Sequence, residues 1–242
     1  TRMSYRTSIR LIDYIHIVFA FFLFTNMANA ERLIISKHKY NLHKGDIQFG
    51  VSEQTLIKEG LDYRFTIKSN SAGIFKLKKD NRLETTKYIK NNGVIKPISY
   101  KYVREKKDSI NVIETFFDLD NKYAYTVNNN EKYEHAKIPY SFDRLSVQID
   151  FQDKMKSGIF EHEYSIIDKG RVRKYSFILH SDDVIETIFG QTNTIVIKKL
   201  IENNKRSTLT WYAVDYNYIP VKVEQYRKKS LKFTATLNEI NK

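Results

Sequence analysis

Histidines and carboxylates are the side chains best suited to catalysis or metal binding in this sequence, and they gather in two short segments. In "KHKYNLHKGD", His38 and His43 lie five residues apart, with Asp46 close behind. On a strand that odd separation sends the two imidazoles to opposite faces, so a shared metal ion requires a bend. In "FEHEYS", Glu161 and Glu163 share one face and His162 takes the other. Both segments read as surface, and the Asp182–Asp183 pair after His180 reads as a turn. There is no cysteine nucleophile, and only eight glycines. A G-x-S-x-G elbow, an H-E-x-x-H helix and a phosphate-cradling glycine loop are all missing. The residues nominate no catalytic group, no metal ligand and no cofactor, and the expectation is a protein that is not an enzyme.

Binding chemistry is better represented. The segment "TWYAVDYNYIPVKVEQY" holds the single tryptophan, four of the seventeen tyrosines and one of the three prolines. Alternation sends Leu209, Trp211 and Ala213 to one face and Thr208, Thr210 and Tyr212 to the other. Pro220 opens the next strand, where a missing N–H does little harm. The stretch predicts two strands joined by "DYNY", with Trp211 on the inner face of the sheet. Two roles are open to it: Trp211 as core with half-buried tyrosines around it, or Trp211, Tyr212 and Tyr218 as an aromatic ligand surface. A second candidate site is the start of the segment "SFDRLSVQIDFQDKMKSG", with Phe142 and Arg144. Arg144 either meets an anionic headgroup or a partner's carboxylate, or pairs with a sheet carboxylate such as Glu186 while Asp143 caps a helix.

These residues need elements to hold them, and nearly everything from Lys39 onward reads as β-structure. "LDYRFTIKS", "VIKPISYKYV", "SINVIETFFDL", "FEHEYSII", "RVRKYSFILH", "TNTIVIKKLI" and "LKFTATL" all alternate apolar with polar residues. Asn91-Asn92-Gly93, Asp120-Asn121, Asn128-Asn129-Asn130, Asp168-Lys169-Gly170 and Asn203-Asn204 supply turn chemistry between runs. Two segments depart from the pattern. "SNSAGIFKLK" predicts a short helix or a crossing loop. Ser141–Gly158 predicts a helix, capped by Asp143, ended by Gly158 and striped by Leu145, Ile149 and Met155, with Phe151 or Gln152 nearby. So many strands in one antiparallel sheet must curl. The predicted fold is mainly β: a single strongly curved antiparallel sheet, an open or half barrel, wrapped around one or two helices.

The first thirty residues predict an export signal. Arg2, Arg6 and Arg10 precede the apolar run "IHIVFAFFLF", which is shorter than the roughly 20 residues of a spanning helix. Ala28-Asn29-Ala30 then gives the small-x-small pattern of signal peptidase cleavage. The expectation is a signal peptide over 1–30, cleavage after Ala30, and one β-rich domain over 31–242 in the periplasm of a Gram-negative bacterium. Without cysteine the mature chain uses no disulfide, and none is needed at this length. The formal charge is +13, of which about +11 remains after the leader is removed. Such a balance suits anionic phospholipid or lipopolysaccharide, and permits peripheral membrane contact. Scattered strand lysines also guard against aggregation. Export argues against nucleic acid as a partner.

Three segments, "PYSFDRLSVQIDF", "VIETIFGQTNTIVIKK" and "STLTWYAVDYNYIPVKVEQ", resemble the motif series of exported bacterial proteins called domain of unknown function 3108. The Pro-x-x-x-Asp-Arg-Leu-Ser element is matched by Pro139, Asp143, Arg144, Leu145 and Ser146. The Glu-x-x-x-x-Gly element is roughly matched by Glu186 and Gly190, and the Trp-to-Pro hairpin by Trp211 and Pro220. One departure is Thr210-Trp211-Tyr212-Ala213 where the family runs Leu-Trp-x-Ala. The hairpin also resembles the later strands of lipoprotein carriers of the LolA and LolB kind, which implies a curved sheet with an apolar cavity for acyl chains. The expectation is a non-catalytic binding or cell-envelope factor that holds an apolar or lipid-like ligand on the concave face near Trp211. The alternative is a protein–protein module that captures an envelope protein on a strand edge or aromatic face. An unrecognised hydrolase comes third.

Overall fold

Alternation, with one bulged residue at Ile98, builds the β-strand Val94–Lys106. Its inward Ile95, Pro97, Tyr100 and Tyr102 are buried, while Lys96 and Lys101 between them are exposed. The computed structural model describes residues 32–77, 80–118, 120, 123–135 and 141–241. The predicted signal peptide and Pro139 lie outside these described residues.

The first half of the chain is a meander of β1 (Arg32–Lys44), β2 (Ile47–Glu59), β3 (Asp62–Ser71), β4 (Asp80–Asn91), β5 (Val94–Lys106), β6 (Ser109–Asp118), β7 (Tyr123–Asn128) and β8 (Glu131–His135). Helix α1 (Ser146–Lys156) follows. A second meander then runs through β9 (His162–Asp168), β10 (Arg171–Thr187), β11 (Gly190–Ile201), β12 (Arg206–Ala213), β13 (Ile219–Arg227) and β14 (Ser230–Asn241). The segment "SNSAGIFKLK" contains a short 3-10 turn, Gly73–Leu77. β14 pairs with β1, so all fourteen strands form one antiparallel sheet with β8 and β9 at its edges. The mainly-β, single-sheet fold expected from the alternation is the observed one, with one α-helix among the described residues.

The helix shows why the sheet curves. Val147, Phe151 and Met155 pack against Tyr164, Tyr175, Phe177, Ile197 and Tyr212 from β9–β12. Leu145, with half-buried Ile149, packs against Phe65, Tyr88, Tyr100, Tyr102 and Ile113 from β3–β6. Those strand groups lie on either side of the β1–β14 junction, so the sheet must bend round α1 to touch it from both. Phe151 and Met155 have no exposed surface. Burying a side chain of that size stabilises by about 1.5–3 kcal/mol.

Both ends of α1 are defined by local chemistry. The Asp143 carboxylate accepts the N–H groups of Leu145 at 2.8 Å and Ser146 at 3.0 Å, and the Ser146 hydroxyl accepts the Asp143 N–H at 3.0 Å. This reciprocal pair is a capping box with Ser in place of Glu. At the other end the Ile159 N–H reaches the Lys154 carbonyl and the Gly158 N–H reaches that of Met155, each at 3.0 Å, which closes a Schellman motif. Gly158 has φ +78° and no atom within 4 Å of an added Cβ, so its requirement is conformational alone. Gly158→Ala is expected to lower stability by about 1 kcal/mol, measurable by urea denaturation with an unchanged m-value.

Because neighbours are antiparallel and consecutive, the β1–β2, β3–β4, β5–β6, β9–β10, β11–β12 and β13–β14 connections all lie at one end of the sheet. That end is rich in exposed cations, among them Lys44, Lys107, Lys169, Arg171, Arg206, Lys228 and Lys229. Exposed Ile47, Leu77, Ile110, Val172 and Leu231 are interspersed with them.

Candidate functional site

A mixed-charge cluster sits just inside the basic end, where α1 begins. Asp168 is the last residue of β9, Lys199 lies two residues before the end of β11, and Glu84 projects from β4. Arg144 lies among them. Its guanidinium approaches Glu84 at 3.7 Å and Asp168 at 3.6 Å, while Arg173 approaches the other Asp168 oxygen at 3.6 Å. These are ion-pair distances, longer than N–H···O hydrogen bonds. The Arg144 guanidinium is therefore ion-paired to both carboxylates without a hydrogen bond to either, and 31% of its side chain remains exposed. Short hydrogen bonds go instead to the carboxylates: Tyr100 donates to Glu84 at 2.7 Å and Tyr175 to Asp168 at 3.1 Å. Asp168 Oδ1 and Arg173 Nε are buried without a hydrogen-bond partner.

Lys199 is the unusual member. Cross-strand pairing with Phe177 and Thr208 sets it in phase with Ile195, Ile197 and Ile201, which pack on the helix-facing core. Its ammonium lies 5.6 Å from the Tyr175 ring centroid. Among the described residues no carboxylate forms an ion pair with it. Burial, then the charge of Arg144, push its pKa down to about 8, against a smaller opposing pull from Glu84 and Asp168. Lys169, 4.1 Å over the Tyr102 ring, is lowered for the same two reasons. For Arg144 itself burial opposes the charge, but Glu84, Tyr100 and Asp168 more than offset that and raise its pKa. Arg144, half-buried Lys199 and the exposed Lys169 thus crowd around two carboxylates already engaged by tyrosines, leaving a local excess of positive charge.

Further from α1 the inner wall is less tightly filled. Gln54 and Leu56 on β2, Ile67 on β3, Thr210 on β12 and Gln225 on β13 are only half-buried on the face that α1 occupies elsewhere. Half-burial leaves that stretch of the inner wall partly uncovered, a candidate recess with mixed polar and apolar lining. A separate, shallow groove of about 440 Å³ beside Glu163, Lys174 and Glu202 lies along the β9–β10 hairpin and is mostly charged.

The other sequence candidates have structural positions. Trp211 belongs to a cluster with Tyr40, Val196, Ala213, Val221 and Leu237 that contains no α1 residue. Its indole N–H donates to Asp183 at 2.9 Å, and Lys222 sits 4.2 Å over its ring. Trp211 is a buried core residue away from α1, and Tyr212, one residue on, is the one that packs against the helix, because alternation opposes the two. Asp183 is not in a turn but within β10, where its carboxylate serves the indole. Tyr218 is half-buried against Phe160, ring centroids 6.1 Å apart. Phe142 closes a seam: its N–H donates to the Ser165 carbonyl at 3.2 Å and its carbonyl accepts the Ile167 N–H at 2.8 Å, covering part of the β9 edge. Glu186 is exposed and accepts from Gln191 at 2.8 Å, so Arg144 pairs with Glu84 and Asp168 rather than with it. Gly190, at φ +80°, makes the β10–β11 turn, and the Pro220 carbonyl accepts the Tyr40 hydroxyl at 2.9 Å. Of the predicted ligand residues, Arg144 is the one that belongs to the mixed-charge cluster. His38 pairs with Gln54 and His43 with Gln48, and no metal-binding cluster occurs among the described residues.

The motif-bearing segments fall within residues 38–236, which match the family described as "Protein of unknown function (DUF3108)". The chain belongs to the DUF3108 family. No curated protein matches it. Among solved structures, a β-barrel-like protein of domain of unknown function DUF1849 from Brucella abortus aligns with 87% of this chain and 98% of its own, at 8% identity and TM-score 0.57. That likeness supports the barrel-like fold of this DUF3108 chain and nothing finer. A putative exported protein with a YmcC-like fold from Bacteroides fragilis covers 86% of this chain and 95% of its own at 11% identity, but with a TM-score of 0.34 the overlap is too loose to bear on the fold.

Within the DUF3108 chain, sequence reasoning reached Arg144 and missed Glu84, Asp168 and Lys199. A signal for Lys199 was present: in "TIVIKKLI" one lysine of the pair must share a face with the isoleucines. Asp168 reads as a turn residue, which it borders, and nothing local connects Glu84 to a helix sixty residues away.

Proposed function

We propose that the protein is exported to the periplasm and acts there as a non-catalytic binding protein for an anionic amphiphile. The head of the ligand sits against Arg144 and Lys199, and its apolar part lies along the recess beside Leu56 and Ile67. The observation that carries this reading is Lys199, half-buried and without an ion pair among the described residues, placed beside Arg144. Arg144 is ion-paired with Glu84 at 3.7 Å and Asp168 at 3.6 Å but hydrogen-bonded to neither. An oxyanion there takes charge-assisted hydrogen bonds from both and relieves their mutual repulsion. The curved sheet and the basic rim support it, as does the export pattern ending at Ala30.

The test is mass spectrometry of protein purified from the periplasm of a Gram-negative host, both intact and after solvent extraction. The expected result is a chain beginning at Glu31 that carries an acidic amphiphile. Unprocessed protein in the cytoplasm overturns the location, and processed protein carrying only neutral lipid or none overturns the ligand.

A further inference from the structure

We infer that the basic end of the sheet is a docking face for an anionic lipid bilayer, a surface distinct from the recess. Four hairpin turns there place a cation near an exposed aliphatic: Lys44 with Ile47, Lys107 with Ile110, Arg171 with Val172, and Lys229 with Leu231. Asp46 and Asp108 lie in the first two, and the cations Lys106, Lys169, Lys205, Arg206, Arg227 and Lys228 in these and the β11–β12 turn keep the face basic. The four aliphatics are between 44% and 66% exposed. Cations attract a negatively charged leaflet, and short aliphatics beside them enter the interfacial layer. Charge complementarity therefore commits the face to a bilayer.

Backbone conformation gives an independent sign. Lys107, Lys169, Lys228 and Lys229 have φ of +50°, +53°, +51° and +65°. Glycine and asparagine occupy that left-handed region with less strain, as Gly45 and Gly170 do in the same row of turns. Lysine at four such places runs against local stability, a conflict that marks functional surfaces. Bound in this way, the face holds the Arg144 cluster just behind the membrane surface.

The experiment is co-flotation with vesicles of phosphatidylcholine, alone or mixed with phosphatidylglycerol. Wild-type protein is expected to float with the mixed vesicles, and less so as salt rises. The variant Lys107→Asn, Lys228→Asn, Lys229→Gly is expected to bind about a hundredfold more weakly, at about 1 kcal/mol per charge. Its thermal midpoint should equal or exceed that of wild type, since the new residues suit the backbone, so lost binding cannot be laid to unfolding. Ile110→Ser with Leu231→Ser should lower the binding that survives at high salt. Lys87→Glu with Lys96→Glu, away from the rim, should leave binding within a few fold of wild type. Equal binding to neutral vesicles, unchanged binding in the triple variant, or an equal loss in the Lys87/Lys96 control overturns the assignment. The proposed ligand site is tested apart from this, because Lys199→Met should empty the recess without changing flotation.

Discussion

Replacing Lys199 with methionine is expected to raise the stability of the protein and weaken its hold on an anion at the same time. The ammonium has a folded-state pKa of about 8 against an ordinary 10.5, lowered by burial and by Arg144. A lowered lysine pKa means that the unfolded chain holds a proton the folded one releases. Stability therefore rises with pH between about 8 and 10.5, and below 8 the full cost of charging Lys199 is present. The shift alone corresponds to about 3 kcal/mol; because Lys199 keeps some contact with solvent, about 2 kcal/mol is the better expectation. For a domain of this size that is a rise of about 4–8 °C in unfolding midpoint at pH 7. Calorimetry at pH 7 and pH 10 checks the sign, since the advantage of the variant should shrink at the higher pH. Affinity for an anionic amphiphile should fall between roughly tenfold and a hundredfold, the worth of one charge-assisted hydrogen bond. A residue that costs stability where it stands and gains affinity for a ligand is the pattern of a binding site.

The second large effect is at Asp143. Its carboxylate is completely buried and accepts four hydrogen bonds, from the Thr86 hydroxyl at 2.6 Å, the Ser146 hydroxyl at 2.8 Å, and the backbone N–H groups of Leu145 and Ser146. Asp143→Ala removes the cap of α1, worth about 1–2 kcal/mol, and strands buried donors at a further 1–3 kcal/mol. The expected loss is about 3 kcal/mol, and with it the placing of Arg144 one residue away. Asp143→Asn should behave differently. Burial raises the Asp143 pKa more than its hydrogen bonds lower it. The ionised form therefore carries a penalty that is absent at acid pH and appears as pH rises through the raised folded value. Asparagine caps as well as aspartate and carries no charge. It should match or exceed wild type at pH 7, with the difference closing toward acid pH. Denaturant melts of both variants across pH separate the effects.

How far these sites could be read from sequence followed the range of the interactions. Alternation, as in Ile95–Pro97–Tyr100–Tyr102, is local, and so were the strands and the single antiparallel sheet. The capping chemistry of Asp143 and the stop at Gly158 were local as well. Strand pairing was partly local: a meander joins each strand to the next, but the β1–β14 contact joins Tyr40 to Leu237 across the whole chain. Trp211 is core, one of the two roles its pattern allowed, but alternation fixes which residues oppose each other, not which side meets the helix. Tyr212 met it. The charge cluster was least legible, since Glu84, Arg144, Asp168 and Lys199 come from four separate elements. A helix-start arginine announces that it needs a partner, but only the folded, curved sheet chooses between Glu186 and Glu84.

The most direct measurement is the titration of the Lys199 Nζ by NMR, with and without dodecyl phosphate as the probe anion. In the free protein the resonance should titrate near 8, and with the probe bound it should move back toward 10.5, because a bound anion stabilises the ammonium. An ordinary lysine titration in the free protein, or one that the probe leaves unmoved, would contradict a cationic site open to an anionic ligand.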